Sequence, residues 1–131
     1  MTPRLIGQPE ARAFWSHPSQ LEPGITADML PDHGVEYWAC GPICGAFRLG
    51  PWPGVFMADY GVKPEGWGRV TEPGRAILAA FWAARAPQLI VGWTDSTNRA
   101  ALAFAKRLGF VVTGEMTLAN GKRITAQEWR L

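Results

Sequence analysis

Apolar residues fall into two rhythms along this chain. Between about Glu72 and Arg85, Ile77, Leu78, Phe81 and Trp82 recur at the spacing of one helical face, with Pro73 suited to a first turn and Pro87 closing the element. A second helix is expected over about Asn98 to Leu108, where Ala101, Leu102, Ala105 and Leu108 stack on one side and Gly109 stops the run. The strand rhythm appears in Val35–Cys40 and Ile43–Arg48, joined by Gly41-Pro42 as in a tight hairpin. Gly54 to Val62 is mostly apolar, as an interior strand is, and Gln88 to Trp93 reads as a further short strand. Phe110 to Leu118 and Lys122 to Arg130 flank Asn120-Gly121, a strong hairpin signal. Before Gly34 the pattern is poor, with one short helix expected near Pro9 to Trp15. The expected order is three strands, helix, strand, helix and two strands, a mixed α/β sheet.

The sequence of 131 residues is expected to form one domain, with an irregular front end over 1–33 and a sheet-and-helix core over 34–131. Hydrophobic residues make up 47% and charged residues 18%, a globular rather than disordered composition. The longest apolar run, Ala76 to Ala84, is far below the roughly 20 residues of a membrane span. The opening residues lack the apolar stretch of a secretory signal, so a soluble, cytoplasmic protein is expected. A net charge of +2, with scattered bases, is no footprint for nucleic acid. Residues 98–131 carry a surplus of four positive charges, which suits a solvated surface or an anionic ligand. Cys40 and Cys44 have only His17 and His33 as companions for a metal, at irregular spacing, so buried thiols and no metal are expected.

The segment Thr94-Asp95-Ser96-Thr97-Asn98-Arg99-Ala100-Ala101 through Lys106-Arg107-Leu108-Gly109-Phe110, followed by Gly114, resembles the GCN5-related N-acetyltransferase (GNAT) superfamily. Asn98 opening the helix, Ala101 three residues on, the Leu108-Gly109-Phe110 ending and a strand glycine carry the resemblance, which covers about Val35 to Leu131. It implies a mostly antiparallel central sheet with helices on both faces. It also implies acetyl-CoA as co-substrate, lodged in a V-shaped opening between the strands Gly54–Val62 and Gln88–Trp93. The backbone of Tyr60, Gly61 and Val62 would pair with the pantetheine arm. Trp67, Gly68, Arg69, Val70 and Thr71 would hold the diphosphate through N–H groups at a helix start, and Asn98 would fix the neighbouring helix beside the arm. The family's Gln/Arg-x-x-Gly-x-Gly/Ala loop is matched only in part. Trp67, Val70 and Glu72 occupy its marked positions and Gly68 follows the first of them, while a shifted reading uses Arg69 and Gly74.

Amine acetylation needs a base for the acceptor's proton, donors for the oxyanion and an acid for the leaving thiolate. Many members of the family place a Tyr seven residues after the helix Asn, where this chain has Ala105. Tyr60 is then the candidate hydroxyl, and Asp59 and Glu36 are the candidate bases. The implied function is transfer of an acetyl group to a primary amine of a protein or small molecule. The alternative is a catalytically inactive binding or structural protein of the same fold, a compact form that resembles ones encoded by bacteriophages. In that case Trp15, Trp52 and Trp67 would be surface anchors for a protein partner or a second copy of the chain.

Overall fold

A computed structural model describes residues 2–131. Seven strands form one sheet: β1 (Arg4–Ile6), β2 (Val35–Cys40), β3 (Ile43–Leu49), β4 (Val55–Val62), β5 (Leu89–Asp95), β6 (Val111–Thr117) and β7 (Arg123–Trp129). Their spatial order is β1-β2-β3-β4-β5-β7-β6, antiparallel throughout except where β4 meets β5. The one strand the sequence pattern did not show is β1, which adds three residues to the free edge of β2. Three residues are too few for a period-2 pattern to register.

The hairpin between β2 and β3 turns on Gly41 at φ +58°, a left-handed first turn position followed by Pro42, whose ring suits the second. The β6–β7 hairpin is wider than its Asn-Gly pair suggests. Thr117 pairs with Arg123, and Leu118 N–H donates to the Lys122 carbonyl across the loop.

Helices α2 (Thr71–Arg85) and α3 (Arg99–Leu108) cover one face of the sheet. Ile77, Leu78 and Phe81 are fully buried there, and the Phe81 ring stacks on Phe47 at 4.0 Å and meets Phe56 edge-on at 5.0 Å. Burial of a side chain such as Phe81 contributes about 2–3 kcal/mol. Where the two helices approach, a Cβ on Gly74 would lie 2.7 Å from the Leu108 side chain, so the glycine permits the contact. The start of α3 is capped by the Asn98 side chain, which accepts from Ala101 N–H, and Gly109 ends it at φ +104°.

The short α1 (Gln8–Ala11) and the 3-10 turn Arg12–Trp15 cover the opposite face. Trp15 is a correction to the expectation of a surface anchor: only 4% exposed, it packs with Phe14, Tyr37 and Cys44. Trp52 and Trp67 do reach solvent. Cys40 and Cys44 are buried free thiols, and burial pushes Cys44 up to about 12. No described helix is long and apolar enough to cross a membrane, and the described residues hold no group of three metal-ligating side chains.

Candidate active site

The parallel pairing of β4 with β5 covers only Val55 to Met57 against Leu89 to Val91. Beyond it β4 runs on beside β3 to Val62, and β5 runs on beside β7 to Asp95. The two strands therefore diverge, leaving an opening bounded by Ala58–Val62 on one side and Gly92–Asp95 on the other. Alternation in the β3–β4 ladder tells which groups face it. Gly50 donates to the Val55 carbonyl at 2.6 Å and Lys63 to the Pro42 carbonyl at 2.9 Å, so the odd-numbered residues of β4 bond towards β3. The backbone groups of Tyr60 and Val62 then face the opening. Val62 N–H is already satisfied, donating to Gln20 Oε1 at 3.0 Å.

The end of β4 leads through the turn Pro64–Gly66 to the start of α2. Trp67 N–H and Arg69 N–H are spent inside this loop, on the carbonyls of Pro64 and Gly66. The amides of Gly68, Val70, Thr71 and Glu72 donate to no acceptor among the described residues. Val70 is the helix N-cap, and its side chain is buried in the core and offers no oxygen, so α2 begins without a side-chain cap. Gly68 has φ +81°, and a Cβ there would meet nothing within 4 Å. Neither bulky neighbour fills this space. The Trp67 ring turns to His17, edge-on at 4.8 Å, and the exposed Glu72 carboxylate pairs with Arg75 at 3.7 Å.

Adjacent residues of β4 place chemistry on opposite faces of the sheet. Tyr60 points to the helix side, its ring edge-on to Phe104 at 6.0 Å, and its hydroxyl is buried without a hydrogen-bond partner among the described residues. Burial raises its pKa above the ordinary phenol value. Asp59 points to the other face, into a cavity of about 350 Å³ lined by Glu22, Arg48, Trp93, Asp95 and Lys122 among others. Its carboxylate lies 3.3 Å from Arg48. Desolvation raises the Asp59 pKa, and the Arg48 charge opposes the shift without cancelling it. Half of the side-chain surface still touches solvent, as a group at the wall of a concave site can. Lys122 Nζ spans Glu22 at 3.3 Å and Asp95 at 3.6 Å on the rim.

Glu36 is not part of this arrangement. It lies on β2, two strands from β4, where Arg85 holds it with contacts of 2.9, 3.1 and 2.5 Å and lowers its pKa. A carboxylate so engaged is a poor base, and the expectation that it serves as one is corrected. Two participants escaped sequence reasoning: Gln20, in the irregular front end, and Lys122, beside the hairpin turn. Neither belongs to a motif, and only the fold brings Gln20 to Val62, 42 residues away in sequence, and Lys122 to Glu22, 100 residues away.

No protein-family model matches the chain, and no curated protein matches it in sequence. Its fold is nevertheless similar to solved acetyltransferases. A variant of the spermidine N-acetyltransferase SpeG from Vibrio cholerae superimposes with a TM-score of 0.74 at 13% identity, covering 98% of this chain and 94% of that one. The ribosomal-protein-S5-alanine acetyltransferase from Vibrio fischeri gives 0.70 at 14%, covering 97% and 91%. A GNAT-family acetyltransferase from Bacillus anthracis gives 0.75 at 7%, covering 98% and 95%. The mixed, mostly antiparallel seven-stranded sheet with helices on both faces is thus the GNAT fold. The expected resemblance to phage-encoded proteins gains no support from these likenesses.

Proposed function

We propose that the protein is an N-acetyltransferase that moves an acetyl group from acetyl-CoA to a primary amine of a protein or small molecule. The observation that carries this reading is the early end of β4–β5 pairing. It turns strand-edge amides into an opening that leads to the uncapped start of α2. An extended, amide-bearing arm suits such an edge, and a diphosphate suits free amide donors at a helix start.

The residues fit the coenzyme with two refinements. Tyr60 and Val62 would hold the arm through their edge groups, once Val62 N–H exchanges its bond with Gln20, while Gly61, whose backbone faces β3, lies between them. Gly68, Val70 and Thr71 would hold the diphosphate, while Trp67 and Arg69 shape the loop, their own amides being occupied. Asn98 acts by fixing the start of α3. Acetyl-CoA supplies the activated thioester carbonyl. Asp59, with its raised pKa and its place in the cavity, takes the proton of the acceptor amine directly or through water. The Tyr60 N–H faces the opening as an oxyanion donor. Its hydroxyl, which holds its proton tightly, serves as a hydrogen-bond donor to the leaving sulfur rather than as a full proton donor.

A second reading, a binding protein of this fold without catalysis, is favoured by Ala105 and by the Gln20 side chain on the strand edge. Calorimetric titration with acetyl-CoA and CoA, repeated on Gly68→Glu, tests the site. Micromolar affinity, about −8 kcal/mol, that the substitution abolishes supports it, and acetyl transfer to a panel of amines then decides between the two readings. Absence of heat and of a thermal shift at millimolar coenzyme overturns the enzyme reading.

A further inference from the structure

Residues 16–22 cross the mouth of the opening and touch three different walls of it. His17 meets Trp67 of the loop before α2, at 4.8 Å between ring centroids. Gln20 Oε1 accepts from Val62 N–H on β4 at 3.0 Å. Glu22 Oε1 lies 3.3 Å from Lys122 Nζ at the cavity rim. None of the strap's seven residues is fully buried, and its anchor in the core is Leu21, partly buried against the cluster that holds Phe14, Trp15 and Tyr37. Its 3-10 turn, Pro18–Gln20, is held locally by His17 Nδ1, which accepts from Ser19 N–H at 3.1 Å.

The Gln20 contact is chemically specific. In an unbroken sheet Val62 N–H would donate to a backbone amide carbonyl of the next strand, and here a side-chain amide carbonyl takes that role. We propose that Gln20 is a placeholder for the coenzyme arm: its carboxamide occupies the Val62 donor until an amide carbonyl of the ligand replaces it, and the exchange frees the middle of the strap. The inference rests on the coenzyme reading above and adds to it a built-in competitor. Because one amide acceptor replaces another, the bond to Val62 adds little net affinity in the native chain. Removing the competitor turns the same bond into a gain. Glu22, two residues on, meets Lys122 on the rim of the acceptor cavity, so the same short segment touches both the coenzyme opening and that rim.

The test is calorimetric titration of CoA into the native protein, Gln20→Ala and the equally long Gln20→Met, with amide hydrogen exchange measured at Val62. In the free protein Val62 is expected to exchange at least about tenfold faster in both variants than in the native chain. CoA is expected to bind both variants about fivefold more tightly, and saturation with it to restore protection at Val62. Equal or weaker binding to the variants, with the native chain still binding CoA, overturns the placeholder and leaves the coenzyme reading standing. Failure of all three proteins to bind millimolar CoA overturns the coenzyme reading and the placeholder with it.

Discussion

The indole of Trp15 lies directly against the backbone of Gly61, so close that a Cβ built on the glycine would sit 2.4 Å from the ring. This contact seats the front end of the chain on the last turn of the β4 pleat, between the residues whose amides face the opening. Trp15 also meets Tyr37 edge-on at 6.0 Å and is buried, so its ring has no free direction in which to withdraw.

Gly61→Ala is therefore expected to destabilise the fold by about 1–3 kcal/mol, the usual cost of overpacking a filled core. Urea unfolding read by tryptophan fluorescence checks this. An unchanged midpoint would mean that the indole is not held against the strand.

Asp59 makes stability depend on pH in an unusual direction for a carboxylate. Partial desolvation at the cavity wall raises its pKa, so the folded state binds this proton more tightly than the unfolded chain does. Its contribution is favourable below the ordinary carboxylate value of about 3.9 and is lost as pH rises through the raised folded value. Asp59→Asn should then gain stability relative to the native chain between pH 3 and pH 7, as compared by urea midpoints at the two values. The same substitution should cost about 10²–10⁴ in acetyl transfer and remove the acid limb of its pH profile, if Asp59 takes the acceptor's proton. A native-like rate in Asp59→Asn would exclude it as the base.

The core elements of the fold were legible because their periodicity is carried by large residues. Ile77, Leu78 and Phe81 mark one face of α2, and Asn98 and Gly109 bracket α3 with capping chemistry that depends on nearest neighbours alone. Asp59 and Tyr60 could be singled out as the carboxylate and hydroxyl beside the site that the resemblance implies, and the two-residue alternation of a strand sets neighbours on opposite faces. What escaped notice depends on contacts far apart in sequence. Glu36 looks like any half-exposed strand carboxylate until Arg85, 49 residues away, closes on it, and Gln20 has no pattern around it at all. Trp15 looked like a surface residue because its segment lacks period, yet the glycine that receives it lies 46 positions later on β4.

The Glu36–Arg85 pair should affect stability and leave chemistry alone. Arg85 lowers the Glu36 pKa, so the contribution is present above the ordinary carboxylate value and is lost as pH falls through the lowered one. Glu36→Gln is expected to lower the thermal midpoint slightly at pH 7, to have a smaller effect at pH 3, and to keep the native rate of acetyl transfer. A loss of turnover of more than about tenfold, with the fold intact, would return Glu36 to the list of bases.

Tyr60 offers opposite outcomes for stability and for activity. Its hydroxyl is buried with no partner among the described residues, and leaving such a group unsatisfied costs about 1–3 kcal/mol. Tyr60→Phe keeps the ring against Phe104 and removes the orphan, so the free protein should become more stable by about 1 kcal/mol. If the hydroxyl finds its partner in the leaving sulfur, the same variant should lose about 10²-fold or more in kcat while CoA affinity changes little. Paired measurements on one preparation, urea unfolding without ligand and turnover with a competent amine, read both signs. A stabilised variant with native turnover would assign Tyr60 to packing alone, and a destabilised one would mean that the hydroxyl is satisfied in the free protein.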